Sequence, residues 1–304
     1  MNRAAAPRIA VFGSVNMDLV AYVDTVPASG ETVQGRQFRQ VPGGKGANQA
    51  VAAARAGAQV CFLGAVGDDA FGVQLRTTLV DNGIDVSGLR TVGGPSGTAH
   101  IVVDGDGNNS IIVVPGANGT VTALREGDVR LLDGARALLL QLETPLSGVL
   151  AAARAGRSLG VTTVLTPAPA RPLPAELLDC VDVLLPNQHE AAALTGHDDP
   201  EQALAALLEA VPEVVVTLGG DGALYGARGH EPIRVPALRV EPVDTTGAGD
   251  TFCGAFAVAR AEGQDPESAL RFAARAAALS VQRPGASTSM PTRPEIDAFA
   301  DASS

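Results

Sequence analysis

The chain has 304 residues, and 22 Lys+Arg against 33 Asp+Glu leave a formal net charge of −11. Such an acidic chain lacks the basic footprint that sequence-independent nucleic-acid binding requires. With 3% aromatic residues and no Trp it also offers no stacking platform for single strands. Hydrophobic residues at 46% and charged residues at 18% are ordinary for a globular protein and too apolar for disorder.

Residues 1–8 contain no apolar leader core, and no uncharged apolar run reaches the ~18 residues of a membrane span. A soluble, cytoplasmic protein is expected. Cys61, Cys180 and Cys253 lie far apart with no CxxC and no His pair nearby, so neither a zinc ribbon nor a disulfide framework is expected. Buried thiols in a reducing compartment fit them better.

The run from Arg8 to Ser14 is continuously apolar and ends in Gly13-Ser14, the pattern of a strand buried on both faces. Asn16 and Asp18 follow it and alternate on one face at the strand's carboxyl end, where open α/β sheets bind ligands. A carboxylate beside an amide suits the vicinal hydroxyls of a sugar, which donate and accept together. The dinucleotide fingerprint G-x-G-x-x-G is absent from this turn, which disfavours a dehydrogenase. Residues 18–23 and 32–41 read as extended. Pro42-Gly-Gly-Lys-Gly-Ala-Asn-Gln49 then enters a helix over 47–58. It is not a P-loop, because Lys45 is followed by Gly46 rather than Ser or Thr. Its glycines permit close backbone approach to a small ligand, and Lys45 and Asn48 supply donors and an acceptor. A plain helix start with a solvated Lys45 is the alternative.

Residues 60–63 read as a further strand. Residues 98–104 and 110–114 read as a hairpin around Gly105-Asp-Gly-Asn-Asn109. These segments, with the extended ones near the amino terminus, suggest a small second sheet. Ile111-Ile-Val-Val114 is apolar at consecutive positions, so another layer, such as a second subunit, is expected to cover it. Strands at 137–140, 161–165, 181–185 and 214–218 alternate with alanine-rich helices at 146–159 and 203–210, the signature of βαβ units and a mostly parallel sheet. Glu143 follows one strand end. Pro186-Asn-Gln-His-Glu190 follows another and opens a helix; Asn187 and Glu190 form either a capping box or a nucleotide or Mg²⁺ contact. Thr217-Leu-Gly-Gly-Asp-Gly222 reads locally as a hairpin turn. The four histidines, His100, His189, His197 and His230, show no ligand spacing.

Val243-Asp-Thr-Thr-Gly-Ala-Gly-Asp-Thr-Phe252 leads into a helix over 248–262 that ends at Gly263, with Phe252, Phe256 and Ala259 on one face. The backbone N–H groups of Gly247, Ala248 and Gly249 at this helix start make an anion site. Asp250 in the first turn either complements the helix dipole or serves as a general base toward a hydroxyl attacking a phosphate. The helix end is expected to keep its pKa low, so orientation would matter more than basicity. Helices over 266–281 and 294–302 complete the chain.

Gly43-Gly-Lys-Gly-Ala-Asn48 and Asp244-Thr-Thr-Gly-Ala-Gly-Asp250 resemble the two signatures of the phosphofructokinase-B-type, or ribokinase-like, carbohydrate kinases. The match runs over nearly the whole chain through Gly13-Ser-Val-Asn-Met-Asp18, Gly67-Asp-Asp69, Gln141-Leu-Glu-Thr-Pro145, Pro167-Ala-Pro-Ala170 and Pro186-Asn-x-x-Glu190. The resemblance implies one kinase domain over residues 1–304. That domain would be a three-layer α/β fold with a Rossmann-like, mostly parallel sheet flanked by helices. A β-lid from about residues 17–41 and 97–115 would pair it into a homodimer. The implied reaction moves the γ-phosphoryl group of ATP to the primary hydroxyl of D-ribose. A sibling kinase for another sugar or a nucleoside and a non-catalytic sugar-binding homologue are the alternatives.

By the same resemblance Asp250 is the proton acceptor, and Gly247, Ala248 and Gly249 form the anion hole. Asn16, Asp18, Gly44, Lys45, Gly46, Asn48 and Glu143 contact the sugar. Asn187, Thr217, Leu218, Gly219, Gly220, Asp221, Gly222 and Gly249 contact the nucleotide. Glu190 is linked to Mg²⁺. Asp244, Thr246, Ser280, Arg283, Gly285 and Ser289 surround a monovalent cation, K⁺, several through carbonyls. Ala274 stands where such kinases often carry a polar residue near adenine, and Thr166 where an Asn is usual.

Overall fold

The computed structural model describes residues 6–302; of the amino-terminal stretch read above, residues 1–5 lie outside it. The chain begins β1 (Arg8–Phe12), β2 (Asn16–Tyr22), β3 (Gln37–Gly43), α1 (Lys45–Arg55), β4 (Gln59–Gly67), α2 (Ala70–Asp81), β5 (Asp85–Val92), β6 (Gly97–Val103) and β7 (Asn109–Val114). It continues through α3 (Asp128–Leu132), β8 (Ala137–Leu140), α4 (Leu146–Ser158), β9 (Thr162–Leu165), α5 (Ala175–Leu178), β10 (Val183–Leu184), α6 (Gln188–Thr195), α7 (Pro200–Leu208) and β11 (Glu213–Thr217). It ends with β12 (Ala223–Ala227), β13 (Ile233–Val235), α8 (Ala248–Ala261), α9 (Pro266–Ser280) and α10 (Arg293–Ala302).

The main sheet has the order β13-β12-β11-β10-β9-β8-β1-β4-β5. Its strand pairs are parallel except at one edge, where the reversed β12 pairs antiparallel with both β11 and β13. Alternate residues of a strand point to opposite faces, and both faces here are covered. Ile9 and Val11 of β1 enter one core with α1, α8 and α9, whereas Ala10 and Phe12 enter the other with α4 and α7. Double-sided burial is why these strands read as unbroken apolar runs rather than alternating ones.

A second sheet, ordered β3-β2-β6-β7, grows from the carboxyl end of β1. Its β2–β3 and β6–β7 pairs are antiparallel and its central β2–β6 pair is parallel. Every residue of β7 is exposed, as are Phe38 on β3 and the whole run Ile111–Val114.

Three segments depart from the sequence reading. The extended stretch expected at 32–41 starts only at Gln37. The strand expected at 181–185 is reduced to Val183–Leu184. Residues 70–92 form α2 and β5, which the apolar periodicity did not show. The reason is visible in α2: Leu75 and Leu79 are buried, but Val73 and Val80 face solvent and blur the stripe.

One helix contact governs the site. α1 and α8 lie side by side because residue 254 is glycine; a Cβ there would come within 2.6 Å of Ala52 Cβ, 2.8 Å of the Gln49 carbonyl and 2.9 Å of Ala53 N. Gly254→Ala is therefore an overpacking substitution. It is expected to cost about 1–3 kcal/mol of stability, read as a lower urea midpoint with an unchanged slope.

Candidate active site

The connections leave β1 toward β4 on one side and β8 takes the other, so the chain changes winding direction between β1 and β8. The crevice at such a point, beyond the carboxyl ends of the strands, is where open α/β sheets bind ligands. Here it is bridged directly. Ser14 Oγ donates to Glu143 Oε2 at 2.5 Å, and the same oxygen accepts the Lys45 backbone N–H at 2.9 Å. The N-cap of α1, Gly44, has no side chain to give, so Glu143 caps that helix from a different strand. The glycines of residues 43–46 also serve close packing within the chain. A Cβ on Gly46 would lie 2.7 Å from both Ser14 N and Ser14 O, so this glycine lets α1 start against the turn after β1.

Asn16 is buried and its Oδ1 accepts from Asn118 Nδ2 at 2.7 Å. Asn118 also accepts from Val15 N at 3.0 Å and donates to Val15 O at 3.1 Å, which fixes the turn that presents Asn16. Asp18 stands two residues further along β2. Burial, together with the nearby charges of Glu143 and Asp250, pushes its carboxyl up to about 7.

Asp250 lies in the first turn of α8 behind Gly247, which adopts the left-handed conformation at φ 75. Its side chain is buried, and both oxygens are held from α1: Asn48 Nδ2 donates to Oδ2 at 3.0 Å and Gln49 Nε2 to Oδ1 at 3.1 Å. The low pKa expected from the helix end is not what the surroundings produce. Burial raises it and outweighs the opposing Lys45 charge and the two amide bonds. Lys45 is correspondingly pushed up by Asp250 and Glu143 against its own burial. Asn48 Oδ1 is buried without a hydrogen-bond partner, an acceptor aimed at whatever fills the site. Of the three amides proposed as an anion hole, Ala248 N–H makes a long bond of 3.2 Å to the Thr245 carbonyl; Gly247 and Gly249 make none among the described residues.

Gln49 was not singled out by its sequence. It is fully buried, accepts from Gln141 Nε2 at 2.6 Å and also donates to Thr166 Oγ1 at 3.2 Å. Thr166, uninterpreted in the sequence, is thus part of the same network. The signal was the alternation Asn48-Gln49 at a buried helix start, but its meaning depends on Asp250, 201 residues away.

On the other side of the α8 start lies a cavity of about 590 Å³ lined by Thr217, Gly219, Gly220, Gly222, Leu238, Val240, Pro242, Ala248, Gly249, Phe252, Ala274, Ala277 and Val281. That volume holds a nucleotide base and sugar. Ala274 belongs to a wall of small apolar side chains, so an aromatic base would meet a flat hydrophobic surface there. The loop 217–222 is both the turn between β11 and β12 and part of this wall. Leu218 is buried behind it, and neither Leu218 nor Asp221 is among the lining residues. Residues 238–242 were missed because they form an irregular segment with no periodicity.

Asn187 and Glu190 form a reciprocal capping box on α6. Glu190 nonetheless feels the charges of Lys45 and Asp250, while its own burial raises its carboxyl. Asp244 joins two loops, accepting from Thr246 N at 2.9 Å and Gly285 N at 2.8 Å. Burial raises the Asp244 carboxyl, but these bonds outweigh it and hold the group below the usual range. The side chains of Ser280, Arg283 and Ser289 are engaged with Ala277, Glu295 and Ala286, and the Ser280 carbonyl itself accepts from Arg283 N at 3.1 Å.

A family model described as pfkB family carbohydrate kinase matches residues 6–293. A ribokinase of Bacillus subtilis is 47% identical over 292 residues, covering 95% of this chain and 98% of that protein. A ribokinase of Schizosaccharomyces pombe is 40% identical over 306 residues, with 95% and 96% covered. The structure of Arabidopsis thaliana ribokinase complexed with ribose and ATP superposes with a TM-score of 0.91 at 38% identity, covering 97% of this chain and 98% of that one.

The raised Asp18 pKa sets a pH dependence of stability. Its folded value of about 7 lies above the ordinary 3.8, so the ionised group opposes folding above pH 7, and stability is regained as the pH falls toward 4. Asp18→Asn is expected to stabilise the ligand-free protein by on the order of 3 kcal/mol at pH 8. The gain should shrink through the window from pH 7 to 4 and vanish near its lower end, as read by urea denaturation at each pH.

Proposed function

The chain belongs to the pfkB family of carbohydrate kinases, and on that premise we propose that it transfers the γ-phosphoryl group of ATP to the primary hydroxyl of D-ribose, giving D-ribose 5-phosphate. The observation that carries this reading is the position of Asp250. Its carboxylate is gripped by Asn48 and Gln49 at the start of α8, between the polar crevice on one side and the apolar cavity on the other.

The chemistry follows from the residues. Asn16 and Asp18 hold ring hydroxyls, and the unpartnered Asn48 Oδ1 accepts another. Lys45 and Glu143 keep the turn before α1 in place. Asp250 orients the primary hydroxyl and takes its proton as the new P–O bond forms. Burial makes it a stronger base than an exposed aspartate, which matches the task. The amides of Gly247 and Gly249 face the migrating phosphoryl group and stabilise the charge on its equatorial oxygens. The base and ribose of ATP lie in the cavity walled by Ala274 and Val240.

Among the described residues no group of three or more His, Cys, Asp or Glu forms a metal cluster. Mg²⁺ held by phosphates and water, with Glu190 beside it, is compatible with that. When bound, Mg²⁺ neutralises phosphate charge. K⁺ would be held between the two loops tied together by Asp244, with the Asp244 carboxylate and main-chain carbonyls as its oxygen ligands. Three free buried cysteines and the use of ATP suit a reducing compartment, and on that basis a cytoplasmic location is part of the proposal.

The small sheet acts as the lid over the sugar, and its exposed apolar run Ile111–Val114 with Phe38 pairs two chains into a homodimer. Ile112→Lys is expected to halve the mass found by light scattering; an unchanged mass for both proteins, at monomer size, would count against the pairing.

The reaction is tested by ADP release with ribose, 2-deoxyribose, fructose and adenosine as acceptors. Ribose is expected to give the highest kcat/KM, and a preference for adenosine or the absence of any sugar-dependent ADP would overturn the proposal. Asp250→Asn should lower kcat by about 10³-fold while ATP affinity, measured by calorimetry, stays close to that of the parent protein.

A further inference from the structure

Asp250 acts at the right place only if its carboxylate is held at the right angle, and the structure shows what holds it. One oxygen is bonded to Asn48, whose own Oδ1 is buried without a hydrogen-bond partner. The other is bonded to Gln49, which is 0% exposed and reaches no open space. Gln49 is anchored in turn at both ends of its amide: Oε1 accepts from Gln141 Nε2 at 2.6 Å, and Nε2 is shared with Thr166 Oγ1 at 3.2 Å. Gln141 follows β8 and Thr166 follows β9, so the two central strands of the sheet set the rotamer of a helix side chain that sets the rotamer of the base.

We infer that Gln49 is a positioning residue of the phosphoryl transfer, oriented by Gln141 and Thr166 so that its amide fixes the Asp250 carboxylate toward the acceptor hydroxyl. The inference rests on the reading of Asp250 as the proton acceptor and adds the device that aims it. The division of labour follows from geometry. Asn48 keeps one unpartnered acceptor that a substrate hydroxyl can take up on binding. Gln49 touches only protein and stays fixed when the sugar leaves. A carboxylate with one constant partner and one exchangeable partner keeps its direction through the catalytic cycle, and misdirection by a fraction of an ångström is costly to transfer rates.

Removing the Gln49 amide has a definite sign. A hydrogen bond donated to the charged form favours that form, so its loss raises the pKa of the base and moves the acidic limb of the kcat profile to higher pH. The charged and titratable groups that face Asp250 are Lys45 from α1, Asp18 from β2, Glu143 after β8, Glu190 from α6 and Cys253 from α8 itself. None of them is altered by the substitution.

The test is Gln49→Met, which keeps length and volume and deletes both polar atoms, with Gln141→Met as the second variant and Asp250→Asn as the control. For Gln49→Met, kcat at pH 7 should fall by about tenfold to a hundredfold. The acidic limb should rise by about one pH unit, with KM for ribose and ATP within about twofold of the parent. Gln141→Met should move the limb in the same direction by less. A folded Gln49→Met with the parent's limb and kcat overturns the inference, as does a loss confined to melting temperature or KM. If Gln49→Met does not fold, Gln141→Met decides by the same criteria. Asp250→Asn with full activity would remove the reading of the base and this inference together; an inactive Asp250→Asn beside an unmoved Gln49→Met limb removes the inference alone.

Discussion

Burying a carboxylate is expensive, several kcal/mol even after relaxation, and the cost is met only where hydrogen bonds and an opposite charge replace the lost water. Asp250 satisfies that condition through α1: two consecutive amides and Lys45 come from its first turn. The arrangement requires α1 and α8 to approach more closely than two side chains would allow, which Gly254 permits. It also requires α1 to begin at a fixed point, which the Ser14, Lys45 and Glu143 bonds determine. The switch point of the sheet, the cap of α1 and the helix contact at Gly254 are therefore parts of one constraint: the buried carboxyl of Asp250 held in a fixed orientation.

The charges around it are asymmetric. Asp18, Glu143 and Asp250 share the crevice with the single cation Lys45, and their mutual repulsion is what lifts the Asp18 carboxyl beyond the effect of burial alone. Such a surface suits a neutral polyol, whose hydroxyls donate to carboxylates without adding charge. It is unfavourable for an anion. In the proposed reaction, a sugar that enters neutral and leaves carrying a phosphate would meet less repulsion before transfer than after it. On the opposite side, the amides opening α8 make a place where the helix dipole favours negative charge, such as that of the proposed nucleotide.

Much of this was legible in sequence where the chemistry is local. The doubly buried strands announced themselves as unbroken apolar runs such as Ile9–Phe12. The α8 start was visible in Gly247, Gly249 and Asp250, and the Asn187–Glu190 box in its own spacing. Gln49 was not legible, because a glutamine inside an alanine-rich helix carries no mark of the aspartate it meets 201 positions later. The same holds for Asn118, which pins Val15 and Asn16 across more than a hundred residues. The raised pKa of Asp250 was missed for a related reason: the helix end is a sequence-local term, whereas the desolvation that exceeds it is set by the packing of distant elements.

The small sheet is tied to the chemistry through a single strand. Asn16 and Asp18 are not beneath it but in it, at the start of β2, paired to Gly43 and Val41 of β3 and to Gly97 and Ala99 of β6. β3 in turn runs directly into Gly44 and α1, which carries Lys45, Asn48 and Gln49. At its root the strand is held by Asn118, whereas β7 at the outer edge is exposed along its whole length. The Asn118 clamp thus holds Asn16 at the root of β2, while Asp18 lies two residues further along the same strand. If the small sheet closes over the crevice as proposed, sugar recognition and closure are coupled, because Asp18, the carboxylate proposed to bind the hydroxyls, belongs to a strand of that sheet.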